Sequence, residues 1–206
     1  MKRLLFGILT LLFIGFQVRA QIVERPLPNR IKNLTSVPYA SQQDPVLSLP
    51  FWDDFSTSTL TPSASRWASG DQVRISNGTG VLAPTLNVAV FDGVDASGAP
   101  YNATSLINGA TDSLVSHKID LSNLPAQQAD SIYLSFYWQV TGRGELPDLE
   151  DSLTLQFRSA PGEWNLVWST TGGIDLETGE FNQELIKVDE AFFSDSFQFK
   201  FQSYSR

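Results

Sequence analysis

From Phe51 onward the chain consists of short runs in which apolar and polar residues alternate. Ile132, Leu134, Phe136, Trp138 and Val140 fall on one face, with Tyr133, Ser135, Tyr137 and Gln139 on the other. Leu153, Leu155 and Phe157 alternate with Ser152, Thr154, Gln156 and Arg158. Trp164, Leu166 and Trp168 repeat the pattern, as do Phe197, Phe199 and Phe201 against Gln198, Lys200 and Gln202. Successive side chains of a strand point to opposite faces, so each run predicts an antiparallel strand with one face on a core. An amphipathic helix would need apolar positions three and four apart over several turns. Only 125–130 could hold even one turn. Shorter strand candidates are 73–75, 86–91, 115–119 and 184–188. The gaps carry turn chemistry at Asn77-Gly78, Asp92-Gly93, Ser97-Gly98, Pro161-Gly162 and Gly172-Gly173. Many short strands with such punctuation predict an all-β fold, a two-sheet antiparallel β-sandwich in one domain.

The ends of the chain read differently. Met1, Lys2 and Arg3 precede an almost wholly apolar stretch, 4–16, and Val18-Arg19-Ala20 stands before Gln21. This is the layout of a signal peptide over 1–20, whose apolar core of about 13 residues is too short to anchor in a bilayer. Residues 21–50 hold Pro26, Pro28, Pro38, Pro45 and Pro50, which lack backbone donors and favour extended geometry. They read as an extended leader outside the domain, with the sandwich over 51–206. Export implies a secreted or cell-surface protein, with no membrane span after cleavage. The chain has no cysteine, which excludes disulfides, thiolate metal sites and cysteine nucleophiles and fits a bacterial envelope. With 14 Lys+Arg against 22 Asp+Glu, the net charge of −8 argues against nucleic acid, whose phosphates need clustered cations.

Few residues offer chemistry. His117 is the single histidine, lies in a strand-like run and has no Gly-x-Ser-x-Gly elbow to serve, so a Ser/His/Asp system is excluded. Sugar hydrolysis would need two carboxyls across a cleft; Glu177 and Glu180 have a suitable spacing but lie in a Gly-rich loop. The acids of a second loop, Glu145, Asp148, Glu150 and Asp151, lack the apolar lining that raises an acid's pKa. Tyr133 and Tyr137, on the face opposite the core stripe, could act as stacking platforms for a sugar. Asp92, Asp95 and Ser97 ahead of Gly98 have part of the donor pattern of a calcium loop.

The order of these motifs resembles a known family. Asp112-Ser-Leu-Val-Ser-His-Lys-Ile-Asp-Leu121 is followed by Asp130-Ser-Ile-Tyr-Leu-Ser-Phe-Tyr-Trp138, Gly142-Arg-Gly144, Asp151-Ser-Leu-Thr-Leu-Gln-Phe157, Trp164-Asn-Leu-Val-Trp168 and Phe197-Gln-Phe-Lys-Phe-Gln202. Ahead of them stand Leu49-Pro-Phe-Trp-Asp-Asp-Phe-Ser56 and Phe91-Asp-Gly-Val-Asp-Ala-Ser-Gly98. Over about residues 49–204 this order is similar to the MAM-like and cleaved-adhesin branch of the concanavalin A-like jelly rolls, found in secreted and gliding-associated bacterial surface proteins that use type IX secretion. The resemblance implies a jelly roll that binds glycan or a surface protein without catalysis, within a larger secreted polypeptide that continues into downstream domains. The alternatives are a glycoside hydrolase on the same scaffold and a purely structural spacer. It also implies a structural calcium ion held by Asp53 or Asp54 with Asp112. Finally, it implies a closing strand after the Phe197 run, so the domain is expected to lack one strand and to present an open sheet edge.

Overall fold

The alternating runs do form strands, and polar–apolar parity decides how they stack. In the computed structural model, the described residues are 44–206 without 71, 102–103, 105–106, 160–161 and 174–178. The signal peptide and most of the leader therefore lie outside the described residues. In chain order the elements are β1 (Val46–Leu47), β2 (Trp67–Ser69), β3 (Arg74–Ser76), β4 (Val88–Val90), β5 (Gly109–Ser116) and β6 (Lys118–Ile119). A helical turn, α1 (Ala126–Ala129), precedes β7 (Tyr133–Trp138), β8 (Ser152–Arg158), β9 (Asn165–Thr171) and β10 (Asn182–Lys187). A 3-10 turn at Glu190–Phe192 leads into β11 (Gln198–Ser205).

Five strands form the larger sheet in the order β2-β5-β11-β8-β9, all antiparallel. Phe199 sits opposite Phe157, and Phe201 lies between Leu155 and Leu114, so the inward residues of three strands make one apolar surface. Against it stacks the β7–β10 pair, in register from Tyr133–Lys187 to Trp138–Asn182. The layers meet through aromatic rings in edge-on geometry: Phe136 lies 4.9 Å from Phe201 and 5.1 Å from Trp168, and Trp138 lies 5.3 Å from Trp168. At the other end Phe51, Trp67 and Phe199 pack mutually at 5.1–5.6 Å. The β3–β4 hairpin adds Ala89, and Phe91 just beyond it, to the same core. The fold is an all-β sandwich.

Three details depart from the alternation reading. β1 falls within 21–50, pairs in parallel with β6 and packs Leu47 on the core, so the folded part begins before Phe51. Trp164 stands ahead of β9, and Leu166 is 62% exposed while Val167 and Trp168 pack on the core. The cause is an irregularity opposite Leu155 and Gln156, which shifts the register and flips the parity of β9. The last strand, β11, is not at an open edge: β5 and β8 flank it. Among the described residues, β7 has a neighbour only in β10, and β4 only in β3.

Candidate functional site

The outward face of β7–β10 carries the two tyrosines that the sequence singles out. Strand parity sends Leu134, Phe136 and Trp138 inward and leaves Tyr133 and Tyr137 48% and 51% exposed. Four residues at about 3.3 Å each place the two rings roughly 13 Å apart along the strand. Across the ladder, Lys187 faces Tyr133, Leu185 faces Ser135 and Gln183 faces Tyr137. Leu185 is exposed, and the Gln183 amide donates to the Ser135 hydroxyl at 3.1 Å. The result is a flat surface with two aromatic platforms, an aliphatic floor between them and amide, hydroxyl and ammonium groups within the same row. Below it the Trp138 indole donates to Glu184 at 3.1 Å, tying the two strands together.

The three aspartates expected to hold calcium are engaged in separate motifs. Asp53 accepts the Trp67 indole N–H at 2.7 Å and the Phe55 backbone N–H at 2.9 Å. That clasp holds Phe55 at a φ of 56°, with its ring stacked on Trp67. Asp54 accepts the Ser56 hydroxyl and N–H, bonds that hold its carboxyl below the usual range. Asp112 is fully buried on β5, where one oxygen accepts the Gly93 N–H and the other the Tyr101 hydroxyl, both at 2.9 Å. Burial pushes the Asp112 carboxyl up; the two hydrogen bonds oppose this, and nearby Asp92 adds to it. Burial and the bond to Asp112 likewise push the Tyr101 phenol well above its ordinary value. Among the described residues no three acidic or histidine side chains gather in a way that could hold a metal ion. As they stand, Asp53, Asp54 and Asp112 serve packing and turns, and they do not fit a shared cation site.

The other sequence candidates also find local partners. Asp95 accepts from the Ser97 hydroxyl and from the Ser97 and Ala99 N–H groups, so it caps a turn, and these bonds lower its pKa. Asp92 pairs with Arg74 at 3.5 Å. In the second acidic loop, Asp148 and Glu150 both pair with Arg206, and Asp151 accepts the Asp148 N–H. His117 is buried, with Nε2 at 2.8 Å from the Ala64 carbonyl oxygen. Glu180 is exposed, and Glu177 lies outside the described residues.

One cluster escaped the sequence reading. On the outward face of the five-stranded sheet, the Arg158 guanidinium sits 4.4 Å and the Lys200 ammonium 4.8 Å from the Trp164 ring centroid. Arg158 also donates to Gln198. Burial first, and then Arg158, lowers the Lys200 pKa. Among the described residues neither cation forms a salt bridge. Parity already put Arg158 and Lys200 on one face; the missing signal was that Trp164, just ahead of β9, lies beneath them.

Comparison with protein-family models, curated proteins and solved structures finds no match to this chain. Among the described residues no helix is long and apolar enough to cross a membrane.

Proposed function

We propose that this chain is a non-catalytic, secreted or cell-surface binding module of jelly-roll type that contacts glycan through the outward face of β7–β10. The observation that carries the reading is the pairing of Tyr133 and Tyr137, both half-exposed on one row with Leu185 between them. Two half-exposed phenol rings on either side of an exposed isobutyl group make a surface on which sugar rings stack and take hydrogen bonds from the rim. Gln183, Ser135 and Lys187 supply that rim. Among the described residues the outward row itself carries no carboxylate or histidine, which favours binding over hydrolysis.

The test is a glycan array probed with the purified protein, followed by titration of the best ligand. Tyr133→Ala and Tyr137→Ala should each weaken binding about tenfold, the loss of about 1.4 kcal/mol. Their melting temperatures should stay near that of the parent, because neither ring is in the core. A blank array would favour the spacer reading. Sugar release from any bound polysaccharide, abolished by Glu180→Gln, would favour the hydrolase.

A further inference from the structure

The second layer of the sandwich is interrupted. β7 and β4 each lack a neighbour on one side among the described residues, and both line the same cleft of ≈ 1580 Å3. Phe91, Leu134, Phe136 and Phe201 line it too; each is only partly buried and packs on the core. At one end the cleft is laced shut by Gln139. Its side-chain amide donates to the Val81 carbonyl at 2.9 Å and accepts the Val81 N–H at 3.0 Å. These are the two backbone groups that an adjacent strand would engage. Farther along β7 no described strand takes that role.

An open strand edge beside a half-covered apolar floor is a template for one more strand. We propose that the cleft accepts an extended peptide strand from a partner polypeptide, added between β4 and β7. Main-chain hydrogen bonds to the open edges provide affinity, and alternate apolar side chains over Phe136 and Phe201 provide specificity. β7 has six residues, which sets the length of the inserted strand. Charge sets its flanks: six carboxylates line the cleft against Arg74 and Arg206, and because those two cations pair with Asp92 and Asp148, the acids Asp53, Asp54, Glu145 and Asp151 leave the cleft negative. The favoured partner therefore carries Lys or Arg on either side of the alternating segment. The stretch ahead of Asp44 does not meet these requirements, because the apolar residues of its Pro-free run 29–37, Ile31, Leu34 and Val37, are spaced by three and do not alternate. The proposal uses the edge and inner side of β7; Tyr133 and Tyr137 border the same cleft, so the peptide test is read on the tyrosine variants as well, where strand binding should persist.

The experiment uses the intact chain and three synthetic peptides of one composition. The first alternates apolar and polar residues over about six positions between lysine flanks. The second is the same peptide N-methylated at alternate residues. The third has its apolar residues regrouped at one end. The first should bind one-to-one and raise the melting temperature, with affinity falling as salt is raised. The second and third should bind at least about tenfold more weakly. Equal binding of the N-methylated peptide would overturn the proposal in favour of simple apolar adsorption. Absence of binding by the first peptide would overturn it outright. A concentration-dependent dimer that keeps the first peptide from binding would assign the cleft to a second copy instead.

Discussion

At Asp112, chemistry and packing oppose each other within a single residue. Its carboxyl has no exposed surface, and burial raises its pKa while Gly93 and Tyr101 supply two donors. A carboxyl whose folded-state pKa is raised above its unfolded value stabilises the fold most below the unfolded pKa. That contribution is lost as pH rises through the folded value. The ionised form at neutral pH is thus the costly one. Asp112→Asn retains an acceptor for the Gly93 N–H and offers its amide N–H to the Tyr101 oxygen. We predict that it melts no lower than the parent at neutral pH and flattens the decline in stability from about pH 4 upward. Asp112→Ala instead strands both donors and should cost about 1–3 kcal/mol. Urea melts of all three proteins at acid and neutral pH check this; identical slopes in the parent and the asparagine variant would refute it. Because Asp112 is buried and no group of three metal-ligating side chains gathers among the described residues, a chelator should leave the melting temperature unchanged. A chelator-induced drop that Asp112→Asn removes would restore the calcium reading. The sequence marks Asp112 as unusual through its motif. It could not show that Gly93 and Tyr101 converge on it, because that contact depends on how the 92–101 loop folds back over β5.

At the scale of elements, legibility follows the purity of the alternation. β7 keeps strict parity, and in β8 and β11 the apolar residues that the sequence names do face the core, although Thr154, Gln156, Gln198 and Gln202 on the other face of those two strands are buried as well. β5 is legible only toward its end, because its inward positions include Asp112 and Ser116 beside Leu114, all buried. Ser116 accepts the Phe199 N–H there, so a polar residue holds two core strands together at a site where pattern alone would place an apolar one. β1 and β2, of two and three residues, are too short to show a period. Turn geometry is legible as glycine but not in its severity. A Cβ on Gly172 would lie 1.9 Å from the Asp148 carbonyl oxygen, backbone that cannot step aside. Gly172→Ala should therefore destabilise the protein by about 1–3 kcal/mol, measured by denaturant melting, whereas Gly78→Ala, with open space around it, serves as the neutral control. On the outward face, Trp164→Leu keeps an apolar cover but removes the ring from beneath Arg158 and Lys200. A loss of about 0.5–1 kcal/mol is expected. No loss would mean that the two cations rest on Trp164 without being held by it.

Across the whole molecule the two layers are unequal, and that asymmetry predicts where the fold is vulnerable. Phe199 lies in the middle strand of the larger sheet with 2% of its surface exposed and touches Phe51, Trp67 and Phe201. Phe136, in the second layer, meets Phe201 and Trp168; both phenylalanines border the cleft, but Phe136 is only partly buried where Phe199 is covered. Truncating a buried phenylalanine removes its transfer free energy and leaves a cavity, so Phe199→Ala should cost about 3–5 kcal/mol. Phe136→Ala starts from a side chain already in partial contact with water, and its space is continuous with the cleft, so no sealed cavity forms. Its cost should be about 1–2 kcal/mol. The comparison is informative because the two residues have the same chemistry and differ mainly in what covers them. Chemical denaturation of both variants, with the m-value checked against the parent, measures the difference. Equal losses would mean that the cleft is filled in solution. A smaller loss at Phe136 that grows when the alternating peptide is bound would show that the inserted strand completes the second layer.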